Sequence, residues 1–362
     1  MGRMGRDDRA SSSNRVVVGL SGGVDSAVTA ALLQEQGFEV SGLTLLTWRA
    51  PTAPPAERSL AQAAAVAEAL GIPYRVQDVQ RRFYQEIVVP FVNTYAQGRT
   101  PNPCVLCNPT LKFAALLEEA DRVGARWIAT GHYARVVHPQ AGPTRLLRAR
   151  DRQKDQSYAL YRLTQHHLSH LLLPLGEVES KSDVRNLARQ LRLPGAEQHD
   201  SQDLCFMGRG DYRSLFETLW PEALKPGPIY DEAGEKLGEH RGLACYTVGQ
   251  RSGLDIAAPE RLYVLRLIPE ENALIVGPEA SALRLESLIE SLTFVAGAPP
   301  ASSFSAEGRI RYRAPLVPIE VRVLENGRAS AQLTTPQRGI APGQSLVIYH
   351  GEDVLGGGII SK

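Results

Sequence analysis

The stretch Val16-Val17-Val18-Gly19-Leu20-Ser21-Gly22-Gly23-Val24-Asp25-Ser26 constrains this chain more than any other part of it. A short β-branched run without polar alternation reads as a strand buried on both faces, the habit of a parallel sheet. The glycines then turn the chain into a helix that runs through Gln36 and stops at Gly37. A strand, a glycine loop and a helix in that order aim backbone N–H groups inward at a helix N-terminus, where they bind anions. Ser21 and Ser26 add hydroxyl donors. No Gly-Lys-Ser/Thr follows and G-x-G-x-x-G is absent, so neither the Walker loop nor the dinucleotide fingerprint is present.

The same grammar continues through the first half. Apolar runs at 38–46, 74–79 and 127–130 alternate with helical patterns at 57–70, 83–95 and 111–121, which predicts βαβ units around a parallel sheet. Gly131-His132 falls just past a strand's C-terminal end, where ligands of open α/β sheets bind. From about residue 210 short strands and turns take over, including a hairpin of 261–268 and 273–276 across Pro269-Glu270-Glu271-Asn272. Segments 309–313, 319–324, 330–334 and 345–349 then look like strands of a compact barrel. The expected class is α/β: a disordered lead-in (1–14), a Rossmann-like parallel-sheet catalytic domain (15–209), a small central linking domain (210–284) and a C-terminal β-barrel (285–362).

The 362 residues suffice for two or three cores. Forty basic against 39 acidic residues leave a net charge of +1, so any nucleic-acid partner must be held by local patches. Two candidates are the run Arg145, Arg148, Arg150, Arg152, Lys154 and the cluster Arg309, Arg311, Arg313 with Tyr312 interleaved. No window approaches the roughly 18 apolar residues of a membrane span, and the N-terminus lacks a signal peptide's apolar core. A cytoplasmic protein with no membrane partner is expected, with a targeting role for the polar N-terminal tail left open.

Four cysteines make no disulfide framework. Cys104 and Cys107 form a C-x-x-C after Gly98-Arg99-Thr100-Pro101-Asn102-Pro103, expected to be an extended, partly exposed loop in which a lowered thiol pKa makes them reactive. Cys205 lies far downstream, and the isolated Cys245 reads as a small buried hydrophobe. A four-ligand zinc site is not spelled out.

The pattern Ser-Gly-Gly-x-Asp-Ser resembles the pyrophosphatase loop of adenylating enzymes, which cleave ATP between its α and β phosphates. Beyond it, Thr100-Pro101-Asn102-Pro103, Cys107-Asn108, Gly131-His132-Tyr133, Lys154-Asp155-Gln156-Ser157-Tyr158, Cys205-Phe206, Gly249-Gln250-Arg251, Arg311-Tyr312 and Gly356-Gly357-Gly358-Ile359-Ile360 occur in order. From about Val16 to Ser361 the chain thus resembles the bacterial tRNA-specific 2-thiouridylases. The resemblance implies that Gly19, Leu20, Ser21, Gly22, Gly23, Val24, Asp25, Ser26, Leu45 and Gly131 bind ATP, with Asp25 holding Mg2+. It makes Cys107 the nucleophile and Cys205 the persulfide carrier. Asn102, Pro103 and position 104 would meet the target base, and His132, Lys154, Asp155, Gln156, Arg311, Tyr312 and Gln344 would touch tRNA. Many members of that family carry Asp where this chain has Cys104, so a carboxylate is lost there and a third thiol gained.

The implied reaction adenylates the 2-carbonyl oxygen of a tRNA wobble uridine and installs sulfur taken from a donor or relay protein. Two sulfur routes stand open: a persulfide and disulfide pair of Cys107 and Cys205 with Cys104 spare or resolving, or a 4Fe-4S cluster on Cys104, Cys107 and Cys205. Two other functions compete. An adenylating ligase on a small molecule would exchange pyrophosphate without RNA, and an RNA-binding iron–sulfur or redox protein would leave the loop silent.

Overall fold

The computed structural model describes residues 14–196, 204–207 and 213–361, so the lead-in expected over 1–14 lies, Asn14 apart, outside the described residues. The first strand, β1 (Arg15–Gly19), pairs in parallel with β2 (Glu39–Leu46) and β4 (Trp127–Ala129); β3 (Tyr74–Asp78) and β7 (Leu171–Leu172) complete a five-stranded sheet in the order β3-β2-β1-β4-β7. Val16 and Val18 pack with helices α1 (Val24–Glu35) and α2 (Ala56–Leu70), while Val17 packs on the other face with α4 (Phe113–Val123). Helices on both faces are what a strand apolar throughout requires. The strand order reverses at β1, so the glycine loop sits at the switch point of a Rossmann-like sheet.

The C-x-x-C corrects the sequence expectation. It lies on a short helix, α3 (Pro103–Cys107), not in an extended loop. Proline's fixed φ and missing N–H suit the first helical position, so Pro103 starts the helix instead of preventing it. A π turn, Asn108–Lys112, joins α3 to α4.

The central sheet runs β10-β11-β8-β9, from β8 (Gly227–Tyr230), β9 (Lys236–His240), β10 (Tyr263–Ile268) and β11 (Ala273–Gly277). Its β10–β11 hairpin is the one expected across Pro269–Glu271. Six antiparallel strands follow: β12 (Leu283–Phe294), β13 (Ser303–Arg309), β14 (Val317–Leu324), β15 (Arg328–Arg338), β16 (Ser345–His350) and β17 (Asp353–Ile360). Pairing of β12 with both β15 and β17 closes them into a barrel. The strand expected over 309–313 ends at Arg309, which is buried; Arg311, Tyr312 and Arg313 stand exposed on the following loop.

A hairpin not foreseen, β5 (Ala134–Val137) with β6 (Arg145–Arg148), leaves the first domain and extends the barrel sheet through β17. The basic run is therefore a seam. Arg145 pairs with Asp353 at 2.6 Å, Arg152 and Arg135 with Glu352, and Arg150 with Glu177 at 3.1 Å. Beside this seam Tyr158 donates to the Ser345 carbonyl at 2.8 Å, while the hydroxyls of Tyr161 and Tyr349 meet those of Ser345 and Ser157. No helix among the described residues is long and apolar enough to cross a membrane.

Burial raises the phenols of Tyr158, Tyr161 and Tyr349 above the ordinary value of 10.0. The unfolded chain then releases these protons first as pH rises, so the folded state binds more protons and loses stability with increasing pH. Unfolding midpoints in urea should stay flat on this account to about pH 9 and fall beyond it, and Tyr158→Phe should flatten that fall. Tyrosinate absorbance that develops fully before any loss of structure would contradict the buried seam.

Candidate active site

The loop after β1 is held open by its own serines. Ser26 Oγ accepts from the Ser21 amide at 3.1 Å, lies 3.2 Å from Ser21 Oγ, and donates to the Gly23 carbonyl at 2.9 Å. Gly23 caps α1 without any side-chain hydrogen bond, so the orphan amides of the first turn remain available for an anion. Gly131 closes the cradle from β4: a Cβ there would lie 2.8 Å from the Asp25 carbonyl carbon and 2.9 Å from the Ser26 nitrogen. Any side chain would push the strand end off the loop. Leu45 is half-buried near the end of β2 and packs against the apolar clusters on that side of the sheet.

Asp25 is already engaged. Its Oδ1 accepts from Tyr133 OH at 2.8 Å and pairs with Lys181 at the start of α5 (Lys181–Gln190). Sequence reasoning missed Lys181, because nothing local ties it to a carboxylate 156 residues away. No group of three metal-ligating side chains surrounds Asp25 among the described residues. That still fits magnesium, which commonly rests on one or two carboxylates and the phosphates of its nucleotide; Lys181 would have to yield the oxygen.

The thiols share one neighbour with His132, the Lys112 ammonium. Cys107 is buried, while Cys104 and Cys205 reach solvent even though protein crowds them. Cys205 arrives beside Cys107 because Phe206 is fully buried among Trp48, Phe83 and Phe91, with ring centroids 5.6 to 6.4 Å away. Cys104 and Cys205 both act electrostatically on Cys107, so the structure does bring the three together. It does not lower their pKa values, as the sequence suggested. Desolvation pushes Cys107 up to about 12 and raises Cys104 and Cys205, against a smaller opposing pull from Lys112 on all three. As placed, no group of three His, Cys, Asp or Glu side chains among the described residues is set to hold a single metal ion. Cys245, buried in the central core, is the small hydrophobe expected.

His132 joins the two halves. Its ring stacks on Phe113 at 5.8 Å, its Nδ1 lies 2.7 Å from Thr130 Oγ1, and burial with Lys112 holds its pKa well below the ordinary range. The imidazole is neutral near pH 7. Lys112 is the second residue the sequence reading missed.

The expected RNA contacts divide. Arg311 and Tyr312 are exposed, and Cys104 contributes to the field that Tyr312 feels. Asp155 is buried, its Oδ1 taken by the amides of Ala149 and Ser157 and its Oδ2 facing Arg309 at 3.3 Å. That carboxylate is spent within the protein, because a buried charge is retained only when paired. Gln156 accepts the Tyr133 amide at 3.0 Å, and Gln344 donates to the carbonyls of Thr100 and Pro101 at 3.0 and 3.4 Å. Asn102 and Pro103 start α3 directly beneath that contact, and Lys154 is half-buried at the turn before Asp155.

Three family descriptions match consecutive parts of the chain: tRNA methyl transferase HUP domain over residues 14–209, tRNA methyl transferase PRC-barrel domain over 218–278, and aminomethyltransferase beta-barrel domain over 285–360. The tRNA-specific 2-thiouridylase MnmA of Chloroflexus aurantiacus is 44% identical over 353 residues, covering 96% of this chain and 98% of that one. The enzyme of the same name from Magnetococcus marinus is 45% identical with the same coverage. At that identity over nearly the full length of both chains, the chain belongs to the tRNA-specific 2-thiouridylase family.

Proposed function

We propose that this chain uses ATP to replace the 2-oxygen of the wobble uridine of tRNA with sulfur. One observation carries the reading: Gly131, which closes the anion cradle, leads into His132, and Lys112 bears on His132 and on all three thiols, with the exposed Tyr312 within the field of Cys104. A carbonyl oxygen is a poor leaving group, and transfer of AMP onto it converts it into a good one. The cradle from Gly19 to Ser26, with Leu45 and Gly131, holds the phosphates; Mg2+ at Asp25 would neutralise charge on departing pyrophosphate. Tyr312 offers a ring on which an unstacked base can rest, as chemistry on a base requires. Arg311 and Lys154 supply phosphate contacts, whereas Asp155 and Gln344 act through the loops they hold. The catalytic unit is 15–209, the linker 210–284 and the barrel 285–362.

In the sulfur step a donor or relay protein leaves a persulfide on Cys205. Its outer sulfur bonds to C2 as AMP leaves with the oxygen. Cys107, losing its proton, then attacks the Cys205 Sγ; a Cys107–Cys205 disulfide forms and the outer sulfur stays on the nucleoside as 2-thiouridine. A dithiol reductant restores both thiols. Cys104 is a spare or resolving thiol in this scheme.

The test is to incubate the protein with unmodified tRNA, ATP, magnesium and a persulfide donor, then assay 2-thiouridine by nucleoside mass spectrometry. Product is expected from metal-free-purified protein. Dependence on reconstituted iron and sulfide, lost in each of Cys104→Ser, Cys107→Ser and Cys205→Ser, would replace the persulfide route with the cluster. ATP–pyrophosphate exchange without RNA would point instead to a small-molecule ligase.

Cys205→Ser should release pyrophosphate in the presence of tRNA yet make no 2-thiouridine, while Ser21→Ala should lose pyrophosphate release and keep tRNA binding. The opposite pairing of phenotypes would sink the division of labour. Arg311→Ala should weaken tRNA binding and reduce its log–log salt slope by about one unit or less. Arg150→Ala, whose partner is Glu177, should leave the slope unchanged.

A further inference from the structure

Lys112 has no carboxylate within ion-pair distance among the described residues, although it is half-buried; its Nζ donates to the neutral Oδ1 of Asn108 at 3.0 Å. A partly desolvated ammonium with only an amide oxygen is short of a counter-ion. Its position is built. Asn108 is buried and donates its own amide to the Ala159 carbonyl at 2.9 Å, which fixes the oxygen that holds the lysine. The π turn sets its direction. In an α-helix residues five apart point about 140° away from each other, whereas a π turn with its i→i+5 bonds, at roughly 4.4 residues per turn, brings them within about 50°. The turn at Asn108–Lys112 thus swings Lys112 back over the side of the helix that carries Cys107.

Four groups feel this one cation: Cys104, Cys107, Cys205 and His132. The other charges bearing on Cys107 are Glu86, Cys104 and Cys205, all of which oppose its ionisation, while Arg49 favours it only at Cys205. We propose that Lys112 is a positioning residue of the sulfur site, the built-in counter-ion for whichever of its cysteines carries the anionic sulfur during transfer. The assignment rests on the thiolation reading for its purpose, and on the geometry alone for its existence. The thiol's proton goes to solvent or to the leaving sulfur, and Lys112 takes no part in that transfer.

The experiment follows alkylation of each cysteine by iodoacetamide against pH in the full-length protein, resolved by peptide mass spectrometry, with no tRNA, ATP or sulfur donor present. Lys112→Met and Lys112→Gln remove the charge, the latter keeping a donor for Asn108. Whichever retains the wild-type melting temperature decides. At a fixed pH below the midpoint, Cys107 should react about tenfold more slowly, the equivalent of one pH unit. Lys112→Arg should restore the profile. Unchanged rates at all three cysteines in a folded neutral variant overturn the proposal. Thiolation assayed in parallel keeps the two ideas apart: an inactive wild type with a shifted profile in Lys112→Met sinks the functional reading and leaves Lys112 assigned. An active wild type with an unshifted profile does the reverse.

Discussion

Taking a carboxylate out of water costs several kcal/mol unless its oxygens are paired again, and Asp155 is buried at the junction of the first domain and the barrel. Two backbone amides from its own segment take one oxygen, and Arg309 from the end of β13 faces the other, with Arg148 at 3.6 Å. Removing it would strand two guanidiniums in a poorly solvated seam, and the loss of one partner of a buried pair is more damaging than loss of both. The same junction holds Tyr158, Tyr161 and Tyr349 and the ion pairs of Arg135, Arg145 and Arg152. The exposed pairs among these contribute little each. Orientation of the barrel, and hence of Arg311 and Tyr312, depends on the buried carboxylate.

Among the thiols two effects compete, and their magnitudes decide between them. With Cys107 pushed up to about 12, the thiol there stays protonated at neutral pH. Desolvation wins in the resting site, and Lys112 only moderates it. A thiol that stays protonated is protected from oxidation and from stray disulfide formation with Cys205. Under the proposed persulfide route this favours capture of sulfur at the solvent-reaching Cys205 first, with Cys107 acting last.

Local signals made much of this legible before any coordinates. The Val16–Ser26 passage, the Pro269–Glu271 hairpin and the barrel strands β14, β15 and β16 announce themselves through β-branched runs, glycines and turn residues, each acting within a few positions. The α3 helix was misread because proline was taken as a breaker where it served as a starter. Lys112 was invisible for a different reason: a helical wheel of 3.6 residues per turn places it away from Cys107, and only the π turn returns it. Lys181 and the β5–β6 seam depend on partners more than 150 residues distant, such as Asp25, Glu352 and Asp353, which no spacing rule connects. The basic run reads as an unpaired patch in part for the same reason, since the acids of Arg145 and Arg152 lie 208 and 200 residues away.

The segment that delivers Asn102, Pro103 and Cys104 shows how far those distant partners matter. Gly98 packs on Pro269 of the central hairpin, and Arg99 pairs with Glu290 on β12. Thr100 gives its amide to the Pro342 carbonyl at 2.7 Å and its hydroxyl to Thr247, while Gln344 holds two carbonyls from the other side. Gly343 sits at φ +92° with its α-carbon so near Thr100 that a Cβ would come within 2.8 Å of that backbone. One short strap is therefore gripped by the central domain and the barrel at once. Prolines at 101 and 103 stiffen it, so a shift of either domain is passed to α3 instead of being absorbed. Under the proposed function, RNA seated on the barrel loop that carries Arg311 and Tyr312 rests on the same domain that grips this strap, and so bears on the helix that holds Cys104 and Cys107. The barrel is in this sense part of the frame of a helix whose thiols it does not supply.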